Sequence, residues 1–278
     1  MEPRQSPKTL TLGYSPCPND TFIFYALAHR KIDTGDLRFR EMLLDVETLN
    51  QKALRAELDI TKVSFHAYAH LRDRYVLLHS GGALGRGCGP LVVTKGNVKM
   101  DDLKGKRIAI PGRITTAYLL LQLYEPLLAG NVVVMSFERI LDAVRTGSVD
   151  AGLIIHESRF TYPDYGLSGI LDLGQWWEKE TGLPIPLGCI IAEKNLGADL
   201  INTIEVLVRK SVEYAFAHRD RTKEYIKAHA QELADPVIEQ HINLYVNQYS
   251  LDLGEEGQRA VNELLRRAEQ KGILRGGQ

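Results

Sequence analysis

Val149-Asp150-Ala151-Gly152-Leu153-Ile154-Ile155-His156-Glu157 is the stretch on which the fold turns. Its apolar centre is short and follows a turn, Thr146-Gly147-Ser148. That length and flanking predict a strand buried on both faces, as in an α/β sheet. Such a strand delivers the first polar residue beyond its carboxyl end into a crevice, so His156 is a candidate base, acid or ligand. The competing reading is a strand end closed by an ordinary hydrogen-bonded histidine.

Working outward, strand-like runs alternate with helical ones at residues 9–14, 37–44, 59–63, 75–79, 90–94, 107–110, 132–136, 149–155 and 187–192. That alternation predicts a parallel-rich α/β architecture. From about residue 200 only helical patterns remain, so the C-terminal third reads as a helical pack. Two internal echoes add detail. Leu58-Asp59-Ile60-Thr61-Lys62-Val63-Ser64-Phe65-His66 lines up with residues 149–157, and Thr11-Leu12-Gly13-Tyr14-Ser15-Pro16 with Arg107-Ile108-Ala109-Ile110-Pro111-Gly112. Together with apolar runs at 90–94 and 187–192, where the chain would cross between halves, they imply two lobes around a cleft. The expected division is residues 1–94 with 191–278, and 95–190.

The bulk numbers narrow the partners. The chain has 278 residues, 34 basic against 35 acidic, and no concentrated basic face is implied. Nucleic acid and membrane surfaces are therefore not expected partners. No secretory h-region or membrane span is legible, and the expected location is the cytoplasm. Three widely spaced cysteines, Cys17, Cys88 and Cys189, support neither a disulfide framework nor a thiolate metal site. No metal site is expected.

Several segments sit where strands exit. Ser15-Pro16-Cys17-Pro18-Asn19-Asp20 precedes an apolar helical run, with Asn19 or Asp20 a natural N-cap. A stiffened turn without a ligand and an anion- or hydroxyl-binding loop are both open there. Thr115 and Thr116 repeat the arrangement, two hydroxyls at one helix start, each able to cap the helix or reach a carboxylate. Lys62-Val63-Ser64 is a third exit. Residues 81–89 hold five glycines but no phosphate-loop spacing, so close backbone approach to a flat ligand, hinge freedom or a flexible connector explains them. Trp176-Trp177 reads as an aromatic wall or as helix packing, and His66 and His70 as ordinary helix residues. Without a nucleophile elbow, kinase signature or acid pair, one imidazole among hydroxyls and amides suits proton abstraction.

The blocks GYSPCPNDTFIFYAL, DVETLNQKAL, TKVSFHAYAHLRDRY, SGGALGRGCGPLVV, IPGRITTAYLLL, AGLIIHESRFTYPDYGL and DLGQWWEKETGLPIPLG resemble the 1,4-dihydroxy-6-naphthoate synthase family of the futalosine route to menaquinone. The resemblance implies a two-lobed, periplasmic-binding-protein-like type II α/β fold with a central cleft and C-terminal helices, working as a cofactor-free lyase. Its substrate would be cyclic dehypoxanthinyl futalosine, released as 1,4-dihydroxy-6-naphthoate and a small sugar-derived fragment. The proton acceptor would be His156. Lys62, Val63, Ser64, Thr115 and Thr116 would contact substrate, with Asn50 a further contact. The rival functions are the chorismate dehydratase of the same pathway and a non-catalytic solute-binding protein. The partner expected is a small carboxylate substrate, with a homodimer left open.

Overall fold

In the computed structural model, residues 7–96, 98–230 and 234–274 are described. The chain opens with β1 (Lys8–Tyr14), α1 (Pro18–Ala28), β2 (Leu37–Leu43), α2 (Val46–Leu54), β3 (Ile60–Ser64), α3 (Phe65–Ala69), β4 (Tyr75–Leu77) and β5 (Ala83–Gly85). It continues through β6 (Leu91–Lys95), β7 (Ile108–Ile110), α4 (Thr116–Tyr124), β8 (Val132–Val134), α5 (Phe137–Arg145), β9 (Ala151–Ile154), α6 (Ser158–Thr161), β10 (Leu167–Asp172) and α7 (Leu173–Thr181). It closes with β11 (Ile185–Glu193), α8 (Ala198–Ala217), α9 (Arg219–His229), α10 (Asp235–Tyr245), α11 (Gln248–Leu251) and α12 (Gly254–Gln270).

The strands form two sheets of matching order. One runs β2-β1-β3-β11-β4, with β5 also on β11; the other reads β8-β7-β9-β6-β10 from its opposite end. The two echoes fall on equivalent pairings. Leu12 and Gly13 face Ile60 and Thr61 in the first sheet, as Ile108 and Ala109 face Ala151 and Gly152 in the second. The acidic turn works alike in both: the Thr11 amide donates to Asp59 Oδ2 at 2.7 Å, and the Arg107 amide to Asp150 Oδ2 at 2.8 Å. Each carboxylate satisfies a backbone donor one residue before the parallel pairing begins, which would otherwise lack a partner on that side.

The sheets are mixed rather than parallel throughout. β11 is antiparallel to β3, β4 and β5, and β6 is antiparallel to β9 and β10. The crossing runs cause this, because each enters its new sheet against the direction of the central strands. β6 already belongs to the second sheet and β11 to the first. The expected boundaries at 94/95 and 190/191 fall inside these two strands. β5 and β10 were absent from the sequence reading; both pair only beside a crossing strand.

Among the described residues, apolar side chains fill three clusters. One packs the first sheet against α1, α8 and α10, another packs the second sheet against α5, and the third joins the region between them. Trp177 is fully buried there, its Nε1 donating to the Pro184 carbonyl at 3.0 Å, and Trp176 sets its ring edge-on to Tyr124. The tryptophans are therefore packing and not a ligand wall. The glycine-rich segment has a similar resolution. A Cβ on Gly89 would lie 2.2 Å from the Gly174 nitrogen, so its glycine lets two backbones of this chain meet.

Candidate active site

β3 alternates its side chains across the sheet. Lys62 and Ser64 face a pocket while Val63 points into the core behind. The pocket encloses about 630 Å³, its open mouth included, and is lined by residues from both sheets and from α10. Thr115 and Thr116 reach it from the start of α4, and His156 from the exit of β9. Five of the seven sequence-predicted residues thus meet at one cavity. Asn50 stands one layer back, its Nδ2 3.2 Å from Ser64 Oγ and its Oδ1 accepting from the Ser64 amide at 2.9 Å. It sets Ser64 rather than lining the pocket, and Val63 offers the pocket no side chain.

Lys62 carries the buried charge. Its Nζ lies 2.7 Å from Asp20 Oδ1, with side chains 6% and 2% exposed. Asp20 Oδ2 accepts from the Ser15 amide and hydroxyl at 3.1 and 2.7 Å. These bonds offset the desolvation of the pair, which a bare ion pair at such depth would not withstand. The N-cap of α1 is Cys17, with Pro18 in the first turn, two residues before Asn19 and three before Asp20. Proline suits that position because its missing N–H is one the helix cannot use, and Asp20 is thereby released to Lys62.

The threonine hydroxyls are largely committed to the protein. Thr115 Oγ1 donates to the Gly112 carbonyl at 2.8 Å and accepts from the Tyr118 amide at 3.3 Å, while Thr116 Oγ1 donates to the Leu187 carbonyl at 2.6 Å. What faces an anion here is the first turn of α4, whose Thr116 and Ala117 amides have no acceptor within the helix. His66 braces this start, its Nδ1 3.3 Å from the Thr115 carbonyl. Burial holds the His66 imidazole down to about 4.

His156 is half-buried, with φ of 56° in the left-handed region. A non-glycine residue there is uncommon and is kept only where the surroundings impose it. Its ring lies tilted against Phe137, centroids 5.0 Å apart, and nearly parallel to His241 at 6.1 Å. Burial, helped by the Lys62 cation and opposed by Asp20, pushes its imidazole down to about 4. It is neutral at pH 7, the form that takes a proton.

Cys17, His156 and Glu157 offer metal-ligand atoms within 4.8 Å of one another. A soft divalent ion held there would occupy the His156 lone pair and leave no base. Burial raises the Cys17 thiol well above its ordinary value, with Glu157 adding to it.

Sequence reasoning missed Asp20 as the partner of Lys62, Gly188 beside the Lys62 stem, and His241 and Tyr245 on α10. The first was findable, since a lysine inside an apolar strand demands a carboxylate. Gly188 pairs with Ser64, and a Cβ there would lie 3.0 Å from Lys62 Cε, so its bareness keeps room for the ammonium stem. His241 and Tyr245 sit on an amphipathic helix far along the chain and carry no local signal.

Two mixed sheets of like order, with a pocket between their strand ends and a helical C-terminus, define the periplasmic-binding-protein class of fold. A Candida albicans protein described as exhibiting that generic fold superposes with a TM-score of 0.71 at 16% identity, over 98% of this chain and 92% of that one. The chain belongs to the menaquinone biosynthesis family, whose profile matches residues 10–270. A Thermus thermophilus relative named 1,4-dihydroxy-6-naphthoate synthase is 55% identical over 96% of each chain. A crystallised Archaeoglobus fulgidus protein is 39% identical, with a TM-score of 0.90 over 95% of this chain and 98% of that one. The relatives' name makes this an enzyme family of menaquinone biosynthesis. Among the described residues, no helix is long and apolar enough to cross a membrane.

Proposed function

We propose that the pocket binds cyclic dehypoxanthinyl futalosine and that the protein acts there as a carbon–carbon lyase, forming 1,4-dihydroxy-6-naphthoate. The observation that carries this reading is a neutral imidazole, His156, held by a left-handed backbone at a pocket shared by both sheets. The substrate carboxylate lies over the first-turn amides of α4 or against Lys62, both of which favour an anion. His156 takes a proton from the sugar-derived ring, the carbon–carbon bond joining that ring to the bicycle breaks, the sugar-derived fragment departs, and the naphthalene ring aromatises. Aromatisation supplies much of the driving force, so orientation and one base suffice, and no step calls for a cofactor. The reading places the enzyme in the cytoplasm.

His156→Asn tests it. Turnover, followed by naphthoate absorbance or mass, should fall at least ~10²-fold, while affinity for the product stays near wild type. Wild-type turnover by that variant would remove His156 from the mechanism. Chorismate offered alone should be left unchanged; its dehydration would transfer the protein to the rival activity.

A further inference from the structure

α10 lines the pocket with Tyr245, and one turn earlier its His241 is fully buried behind the pocket residue Asn19. Its Nε2 lies 2.9 Å from Asn19 Oδ1. The hydrogen inventory around Asn19 decides what that contact is. Asn19 Nδ2 donates to Asp20 Oδ1 at 2.8 Å, so the amide oxygen is the atom turned toward the imidazole. An oxygen accepts and cannot donate, which puts the ring proton on Nε2. Turned over, the amide would set its oxygen against the Asp20 carboxylate, acceptor against acceptor. The same Asp20 Oδ1 takes the Lys62 ammonium at 2.7 Å. On its other side His241 Nδ1 is buried without a hydrogen bond, and Glu157 Oε2 at 3.9 Å is too far to take a proton from it.

We propose that His241 is a positioning residue: its Nε2–H tautomer fixes the sense of the Asn19 amide, and through it the Asp20–Lys62 pair that meets the substrate. Contact runs in sequence from α10 through the first turn of α1 to β3, so a helix outside both sheets sets the aim of the pocket's cation. Burial, reinforced by His156 and Lys62, holds this imidazole well below its ordinary range, in keeping with a neutral ring. An effect on turnover rests on the pocket being the naphthoate-forming site proposed above; the tautomer does not.

Two measurements separate these. With histidines labelled by ¹⁵N, the resonances that vanish in His241→Phe identify its ring, which should be neutral with Nε2 protonated between about pH 6 and 8. A charged ring or an Nδ1–H tautomer would overturn the proposal, whether or not the enzyme turns over. In kinetics, His241→Phe should raise KM about tenfold with a smaller fall in kcat, the loss of roughly one hydrogen bond in binding. His241→Gln, whose amide donor reaches the same oxygen, should restore most of it. A fall in kcat at unchanged KM, or no rescue by glutamine, would overturn the positioning role. Should His241→Phe not fold, Asn19→Asp presents an oxygen to Asp20 and should raise KM as much; a wild-type KM there would overturn it equally. Absence of naphthoate from the wild-type enzyme would sink the substrate assignment alone and leave the tautomer measurement standing.

Discussion

β3 and β9 hold the same place in their sheets, each parallel to one neighbour and antiparallel to a crossing strand, yet they serve the pocket in opposite ways. β3 carries polar side chains inside the strand, and Lys62 survives there because Asp20 and its hydrogen bonds meet it. β9 stays apolar and buried to its last residue and delivers its polar group only after the strand has ended. A charge built into a sheet needs a partner built in with it, whereas a neutral base needs only a bend in the backbone. One framework thus supplies an anchor on one side and a proton acceptor on the other.

The sharpest way to break this contrast is to remove the anchor. Lys62→Met leaves Asp20 buried and unpaired and should cost about 3–5 kcal/mol in chemical denaturation; Lys62→Met with Asp20→Leu should recover most of it. A single variant as stable as wild type would mean the pair is not the strand's compensation. A smaller effect comes from acid. His156 and His66 are held near 4 in the fold against about 6.5 when exposed. The unfolded chain therefore binds more protons as pH falls below 6.5, and stability drops with it until the folded values are passed. Between pH 6.5 and 5 this is at most about 2 kcal/mol for each histidine, and Tm should track it. Turnover governed by His156 should keep its acid limb near 4 rather than 6.5. Smallest is the cap: Thr115→Ala removes the acceptor for the Tyr118 amide and should cost about 1 kcal/mol. Its Tm shift measures how far α4 depends on a side-chain cap that α1, opened by Cys17 and Pro18, lacks.

Much of this was legible because strand, turn and exit recur at fixed spacing. The echoes of residues 58–66 and 149–157 mark equivalent strands, since the pairings that join them to β1 and β7 have the same register. His156, Ser64 and Thr115 stand at strand exits, where local pattern alone puts them. What stayed hidden is what distance brings together. Asp20 meets Lys62 across 42 positions, and His241 meets Asn19 across 222. The antiparallel sense of β6 and β11 likewise depends on the route of the chain between sheets, which no local period encodes. That Asn50 stands behind Ser64 was not legible either, because a buried amide behind a serine and one facing a ligand have the same sequence.

The left-handed backbone at His156 governs how that position can be interrogated. Asparagine, aspartate and glycine adopt the conformation readily, whereas a β-branched residue resists it. A library at this position would therefore sort by shape before it sorts by chemistry. Asn and Gly should give intact folds without a base, Asp an intact fold with a carboxylate base in place of the imidazole, and Val or Ile should reshape the strand exit and carry Glu157 with it. Inactivity in the second group reports on geometry, and only the first group reports on the proton.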